Sequence, residues 1–133
     1  MTTRILVIED NTANLELVSY LLTFSGYTVS QAMDGQQGLT LARQEQPDLI
    51  VCDLQMPVLD GYQVLAQLRQ HAETAHTPIV AVTAFSMPND RQKVLTAGFN
   101  GYLSKPIEPE TFVAQIEEFL PAPLRLRPPS IDH

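Results

Sequence analysis

The sequence predicts an α/β fold: a five-stranded parallel sheet, doubly wound by helices on both faces. Three observations predict it. Strand-length segments alternate with amphipathic segments of helical period five times along 133 residues. The strand runs are continuously apolar, as in Ile5-Leu6-Val7-Ile8 and Leu49-Ile50-Val51-Cys52, which is the pattern of strands covered on both faces. Polar groups stand directly after those runs, at the carboxyl ends where open parallel sheets bind ligands. Five such units in this length suit an open doubly wound sheet better than an eight-unit barrel.

Each element has its own signal. Residues 4–8 form the first strand, followed at once by Glu9 and Asp10. A helix over 12–25 places Leu15, Val18 and Leu22 on one stripe, with Leu17 and Leu21 beside it. Asn11 or Thr12 caps it and Gly26 stops it. Thr28 to Ala32 is a short second strand. Asp34-Gly35 turns into a helix running through Ala42 and closed before Pro47. Asp48 to Cys52 is the third strand, with Asp53 after it. The loop from Met56-Pro57 to Asp60-Gly61 leads into a helix carrying Val64, Leu65 and Leu68. Thr77-Pro78 opens the fourth strand, Ile79 to Val82, which ends in Thr83. The next helix starts near Pro88, whose ring suits a first helical turn, and ends near Gly98. The last strand spans 100–103 and runs through Ser104 into Lys105-Pro106. The final helix carries Phe112, Ile116, Phe119 and Leu120 at helical spacing. The proline-rich segment after it cannot extend it. The expected organisation is one domain over 1–120 and an extended or disordered tail over 121–133.

Composition narrows the function classes. An apolar fraction of 44% is ordinary for a globular fold. A net charge of −7 argues against non-specific nucleic-acid binding, which needs basic surface. Cys52 is the only cysteine, so no internal disulfide forms, and its strand position reads as core packing. No run approaches the ~18 apolar residues of a membrane span, and acids arrive before any signal-peptide core could form. The cytoplasm is the expected location. His71 and His76 lack a ligand pattern with other residues and read as exposed.

If the strands are parallel neighbours, Glu9, Asp10, Asp53, Thr83 and Lys105 meet at one edge of the sheet. Three acids, a hydroxyl and an ammonium suit a divalent metal and a phosphoryl group. Each residue also has a plainer reading. Glu9 and Asp10 fit a solvated helix start, Lys105 a surface lysine, and Thr83 a β-branched strand end. Tyr102 fits a half-buried strand tyrosine.

Glu9-Asp10, Asp53 followed by Met56-Pro57 and Asp60-Gly61, Thr83-Ala84 and Lys105-Pro106 together resemble the response-regulator receiver domain. The resemblance covers residues 3–120. It implies the flavodoxin-like strand order 2-1-3-4-5. It implies Asp53 as phosphoacceptor and Mg²⁺ as cofactor, with Mn²⁺ as a substitute. The metal would be held by Asp10, Asp53, the backbone carbonyl of Gln55 and, mostly through water, Glu9. Lys105 would pair with Asp53 before transfer and with the phosphoryl group after it. Lys105-Pro106 is generally cis in this family. Thr83 and Tyr102 would form the switch, and Gln55 and Phe85 would flank the site and adjust phosphoryl lifetime. The implied protein is a stand-alone signalling switch of a two-component system or phosphorelay. It would not be an enzyme acting on other molecules; it would catalyse only its own phosphorylation and dephosphorylation. Its phosphodonor would be a histidine kinase or histidine phosphotransfer protein. Its output would be an effector bound at the face of the fourth helix, fifth strand and fifth helix, or a phosphorylation-dependent homodimer.

Three rival readings meet obstacles in the sequence. An aspartyl-phosphate hydrolase of the haloacid dehalogenase class needs an acid two residues after the nucleophile, where Gln55 stands. A flavin carrier needs a phosphate-cradling loop after the first strand, where Glu9-Asp10-Asn11 would repel phosphate. A receiver-like interaction module working without phosphorylation is opposed by the intact acids, threonine and lysine.

Overall fold

The computed structural model of the chain describes residues 3–84 and 89–126. Strands and helices alternate along it: β1 Arg4–Ile8, α1 Thr12–Phe24, β2 Thr28–Ala32, α2 Gly35–Glu45, β3 Leu49–Asp53, α3 Gly61–Leu68, β4 Ile79–Thr83, α4 Asp90–Ala97, β5 Gly101–Ser104 and α5 Phe112–Glu117. All neighbouring strands are parallel, in the order β2-β1-β3-β4-β5 that the family resemblance implies.

Side chains of a strand point alternately to opposite faces, so each apolar run feeds two cores. Ile5, Val7, Leu49, Val51, Val80 and Val82 pack under α1 and α5 with Leu15, Val18, Leu22, Phe112 and Ile116. Leu6, Ile8, Ile50, Cys52, Ile79 and Ala81 pack under the other helices with Leu39, Val64, Leu65, Leu68 and Val94. β1, β3 and β4 are central: β3 and β4 carry no polar residue before their last positions, and β1 admits one only at its first, Arg4.

Helix ends obey the expected chemistry. Asn11 caps α1 by accepting from the Asn14 N–H, and Asp34 does the same for α2 through Gln37. Asp60 and Gln63 form a reciprocal capping box on α3. Gly98 ends α4 in the left-handed region, φ +118°. The Lys105-Pro106 peptide is cis.

Several boundaries differ from expectation. β3 lies one residue later than the expected 48–52. Asp48 stays outside it, its carboxylate accepting from the Arg4 N–H, and Asp53 is the last ladder residue, opposite Val82. β5 also starts one residue later, because the Asn100 side chain turns back to accept from the Ile79 N–H. Helix α5 is shorter than the apolar spacing indicates. Phe119 and Leu120 continue it by tighter i→i+3 turns, so their side chains still pack. The expected start of α4 at Pro88 lies outside the described residues.

The tail begins as a packed turn, not an extended strand. Residues 122–124 form a 3₁₀ turn, the Leu124 carbonyl accepts from the Thr3 hydroxyl, and the Leu126 N–H donates to the Tyr27 hydroxyl. Residues 127–133 lie outside the described residues. Among the described residues, no helix is long and apolar enough to cross a membrane.

Candidate functional site

Register decides which strand ends meet. Ile8 pairs with Cys52, so Glu9 and Asp53 emerge side by side at the ends of the two central strands. Asp53 pairs with Val82, which leaves Thr83 one step further along β4. Thr83 pairs with Ser104, and the Lys105 N–H donates to the Thr83 carbonyl at 2.8 Å. Parallel pairing therefore delivers the predicted acids, hydroxyl and ammonium to one edge.

The side chains form one polar cluster. Glu9, Asp10 and Asp53 each bring a carboxylate oxygen within 4.8 Å of the others. Glu9 and Asp53 are both 5% exposed, and Asp10 is the most open of the three. Lys105 Nζ lies 2.9 Å from Glu9 Oε1 and 3.6 Å from Asp53 Oδ2. Backbone donors fix the other oxygens: the Asn11 N–H donates to Glu9 Oε2 and the Gln55 N–H to Asp53 Oδ1. The surface-lysine alternative for Lys105 is thereby excluded, since the ammonium sits between two buried carboxylates.

Burial is the largest influence on Asp53 and Glu9's charge is the next; together they push its carboxyl up to about 7. The Gln55 N–H and the Lys105 ammonium pull the other way. Three clustered carboxylates with one ammonium leave an excess of negative charge in a half-closed pocket. An all-oxygen donor set of this kind suits a hard divalent cation such as Mg²⁺. The residues present fit that ion.

The loop after β3 is shaped by two constraints. A Cβ at Gly61 would stand 2.7 Å from the Asp53 carbonyl oxygen and 2.9 Å from Leu54 Cα, so only glycine lets the α3 start close over the acceptor strand. Ahead of it, the Leu59 N–H donates to the Pro57 carbonyl across Val58, which has φ +71° and is 93% exposed. An i→i+2 bond around a positive-φ residue is a strained γ-turn, and a β-branched side chain makes it costlier. Nothing in the sequence marks Val58, because an exposed valine is ordinary until its backbone is known.

Beside the acids opens a cleft of about 540 Å³, bordered by Gln55, Met56, Tyr62, Thr83, Asp90 and Lys93. Thr83 is 1% exposed at its inner end, and Tyr102 is half-buried on β5. Gln55 is exposed, with its N–H committed to Asp53. Phe85 lies outside the described residues. His76 is exposed, as expected, while His71 is half-buried at the end of α3. Tyr62 is the residue that sequence reasoning passed over; its only signal was its place directly after Asp60-Gly61.

Comparison with known proteins gives a consistent picture. The response regulator receiver domain model matches residues 5–117. The polar-differentiation response regulator DivK of Brucella ovis is 38% identical over 120 residues, covering 90% of this chain and 98% of the relative. Among solved structures, chemotaxis protein CheY4 of Vibrio cholerae superposes with a TM-score of 0.84 at 30% identity, covering 90% of this chain and all of that one. The receiver domain of a Pseudomonas aeruginosa sensor histidine kinase superposes at 0.81 with 33% identity, covering 90% of this chain and 98% of that one. That structure has a magnesium ion coordinated in its active-site cleft.

Proposed function

The chain belongs to the response regulator receiver family of two-component signalling, and from that premise we propose that it is a phosphorylation-driven switch whose acceptor is the Asp53 carboxylate. The observation that carries this reading is the cluster itself: a buried strand-end Asp53 with two further carboxylates and the Lys105 ammonium within contact range.

The donor is a phosphohistidine on a histidine kinase or phosphotransfer protein, or a small acyl or amido phosphate. An Asp53 oxygen attacks phosphorus, the phosphorus–nitrogen bond to the imidazole breaks, and the imidazole leaves. The Gln55 N–H holds the attacking carboxylate in one orientation, which removes part of the entropic barrier. Lys105, already 3.6 Å from Asp53 Oδ2, is placed to stabilise charge on the transferred group. The Thr83 hydroxyl, at the end of the adjacent strand, donates to a phosphoryl oxygen. Glu9, Asp10, Asp53 and the Gln55 carbonyl are the residues that would hold Mg²⁺ or Mn²⁺. The ion supplies charge neutralisation between an anionic nucleophile and an anionic phosphoryl group.

Signalling arises from the movement of Thr83 toward the phosphoryl group, with Tyr102 filling the space it leaves. A switch can be biased only by the interactions that differ between its two states. Here those are one hydroxyl donor and one ion pair, so partner affinity should change by roughly 5–150-fold. The reader is an effector protein at the α4–β5–α5 face, or a second copy of the chain, in the cytoplasm.

The test is labelling with acetyl phosphate or phosphoramidate in the presence of Mg²⁺. The wild type should gain one phosphoryl group and Asp53→Asn none, with its circular dichroism unchanged. Labelling of Asp53→Asn at the wild-type rate would refute the assignment. A wild type that no donor labels would instead favour an interaction module that works without phosphorylation.

A further inference from the structure

Helix α4 is thinly attached. Of its eight residues only Val94 is buried, and Leu95 is 39% exposed. On the α3 side one side chain meets this helix and its exit at two points. Lys93 Nζ lies 5.4 Å above the Tyr62 ring. The same ring packs edge-on against Phe99, with centroids 5.7 Å apart and planes at 82°. A cation over the ring and a T-shaped aromatic neighbour both suit the ring's quadrupole. Phe99 is anchored in the core at 4% exposure, whereas Lys93 is exposed and travels with α4.

The ring also adjoins the site. Tyr62 borders the cleft shared by Gln55, whose N–H binds Asp53, and by Thr83. Tyr62 and Tyr102 are both partly buried against the core half beneath α3 and α4. The Tyr62 phenol is pushed up, first by burial and then by Asp90, Asp60 and Tyr102. Asp90, at the start of α4, borders the same cleft as Tyr62.

We propose that Tyr62 is a second aromatic element of the switch, a positioning residue that braces α4 in the resting arrangement through Lys93. This rests on the reading of Asp53 as phosphoacceptor. In this proposal the Lys93–Tyr62 contact is made in the resting arrangement and lost in the phosphorylated one. A shift of α4 away from Tyr62 in response to Thr83 would break that contact, so the brace would oppose activation. By linkage, weakening it makes the phosphoryl-like state easier to reach and tightens the binding of any ligand selective for that state. An exposed cation–π contact corresponds to about a two- to fivefold change in such an affinity.

The experiment is titration of the protein with beryllofluoride and Mg²⁺, monitored by amide NMR shifts, alongside thermal unfolding. Lys93→Met keeps the apolar stem and loses the charge; it should bind beryllofluoride about two- to fivefold more tightly than wild type. Lys93→Arg should restore the wild-type affinity. Tyr62→Ala should tighten binding at least as much as Lys93→Met, and Tyr62→Phe, which keeps the ring, should stay near wild type. Unchanged or weaker affinity in both Lys93→Met and Tyr62→Ala, at any melting temperature, would overturn the brace. Failure of the wild type to bind beryllofluoride at all would instead overturn the phosphoacceptor reading on which the brace depends.

Discussion

Lys105 holds two buried carboxylates at once, and that double role governs the effect of its loss. Lys105→Ala removes the ammonium that faces Glu9 and Asp53. Mg²⁺ binding should become tighter, because a competing positive charge is gone. Phosphorylation by acetyl phosphate should slow by about 10²-fold, the scale for losing one preorganised donor to a developing charge. Metal titration and labelling rates, measured on the same preparation, check both directions. Asp10→Asn has the opposite signature: Mg²⁺ affinity should fall by at least about 10–100-fold, since even outer-shell partners of a ligand contribute that much. An unchanged affinity would place the ion elsewhere. Val58 offers a test of strain. Asparagine tolerates its positive φ and the side chain is almost wholly in solvent, so Val58→Asn should raise stability by about 1 kcal/mol in urea unfolding. At this scale the sequence was legible wherever a polar residue interrupted an apolar run. Glu9, Asp10, Asp53, Thr83 and Lys105 all announce themselves by position. Val58 and Tyr62 do not, because their significance lies in a backbone angle and in contacts across two helices, neither of which leaves a local pattern.

At the scale of elements, β1, β3 and β4 were legible from their apolar runs, β2 and β5 from their places between helical segments, and errors fell at the ends. Asp53 belongs to β3 although it is charged, because the ladder to Val82 and the Gln55 N–H hold it in place. Helix α5 stops early as a regular helix, yet Phe119 still packs, because a tighter turn preserves the direction of its side chain. The turn at 122–124 was invisible in the proline-rich composition; its reasons are the distant partners Thr3 and Tyr27. Gly101 shows how tightly elements fit. It opens β5 beneath the ring of Phe119, which an added Cβ would overlap. Gly101→Ala should therefore destabilise by about 1–3 kcal/mol, the usual cost of overpacking. Combining it with Phe119→Leu should recover part of that loss. A Gly101→Ala midpoint equal to wild type would mean that the ring yields freely.

For the whole molecule, the sheet does two jobs with one register. It splits the apolar residues into two cores, and it brings five polar residues from four strand ends to a single edge. The fold class and the site were legible together for this reason, since the apolar runs that build the sheet also carry the polar residues at their carboxyl ends to that edge. The strand order was not derivable from periodicity and rested on the family resemblance. The proposed coupling between the edge and the α4–β5–α5 face has its own test. With a beryllofluoride mimic, amide exchange should change along 89–105 as well as at the acids. Changes confined to Asp53 and its loop would leave the loop itself as the signal. The central claim is that Asp53, and no other carboxylate of the cluster, carries the phosphoryl group. Its most direct test is borohydride reduction of the phosphorylated protein, which converts an acyl phosphate to an alcohol, and then peptide mass mapping. The account predicts the reduced side chain at position 53 and unmodified Glu9 and Asp10; reduction at Glu9 or Asp10 with Asp53 intact would contradict it.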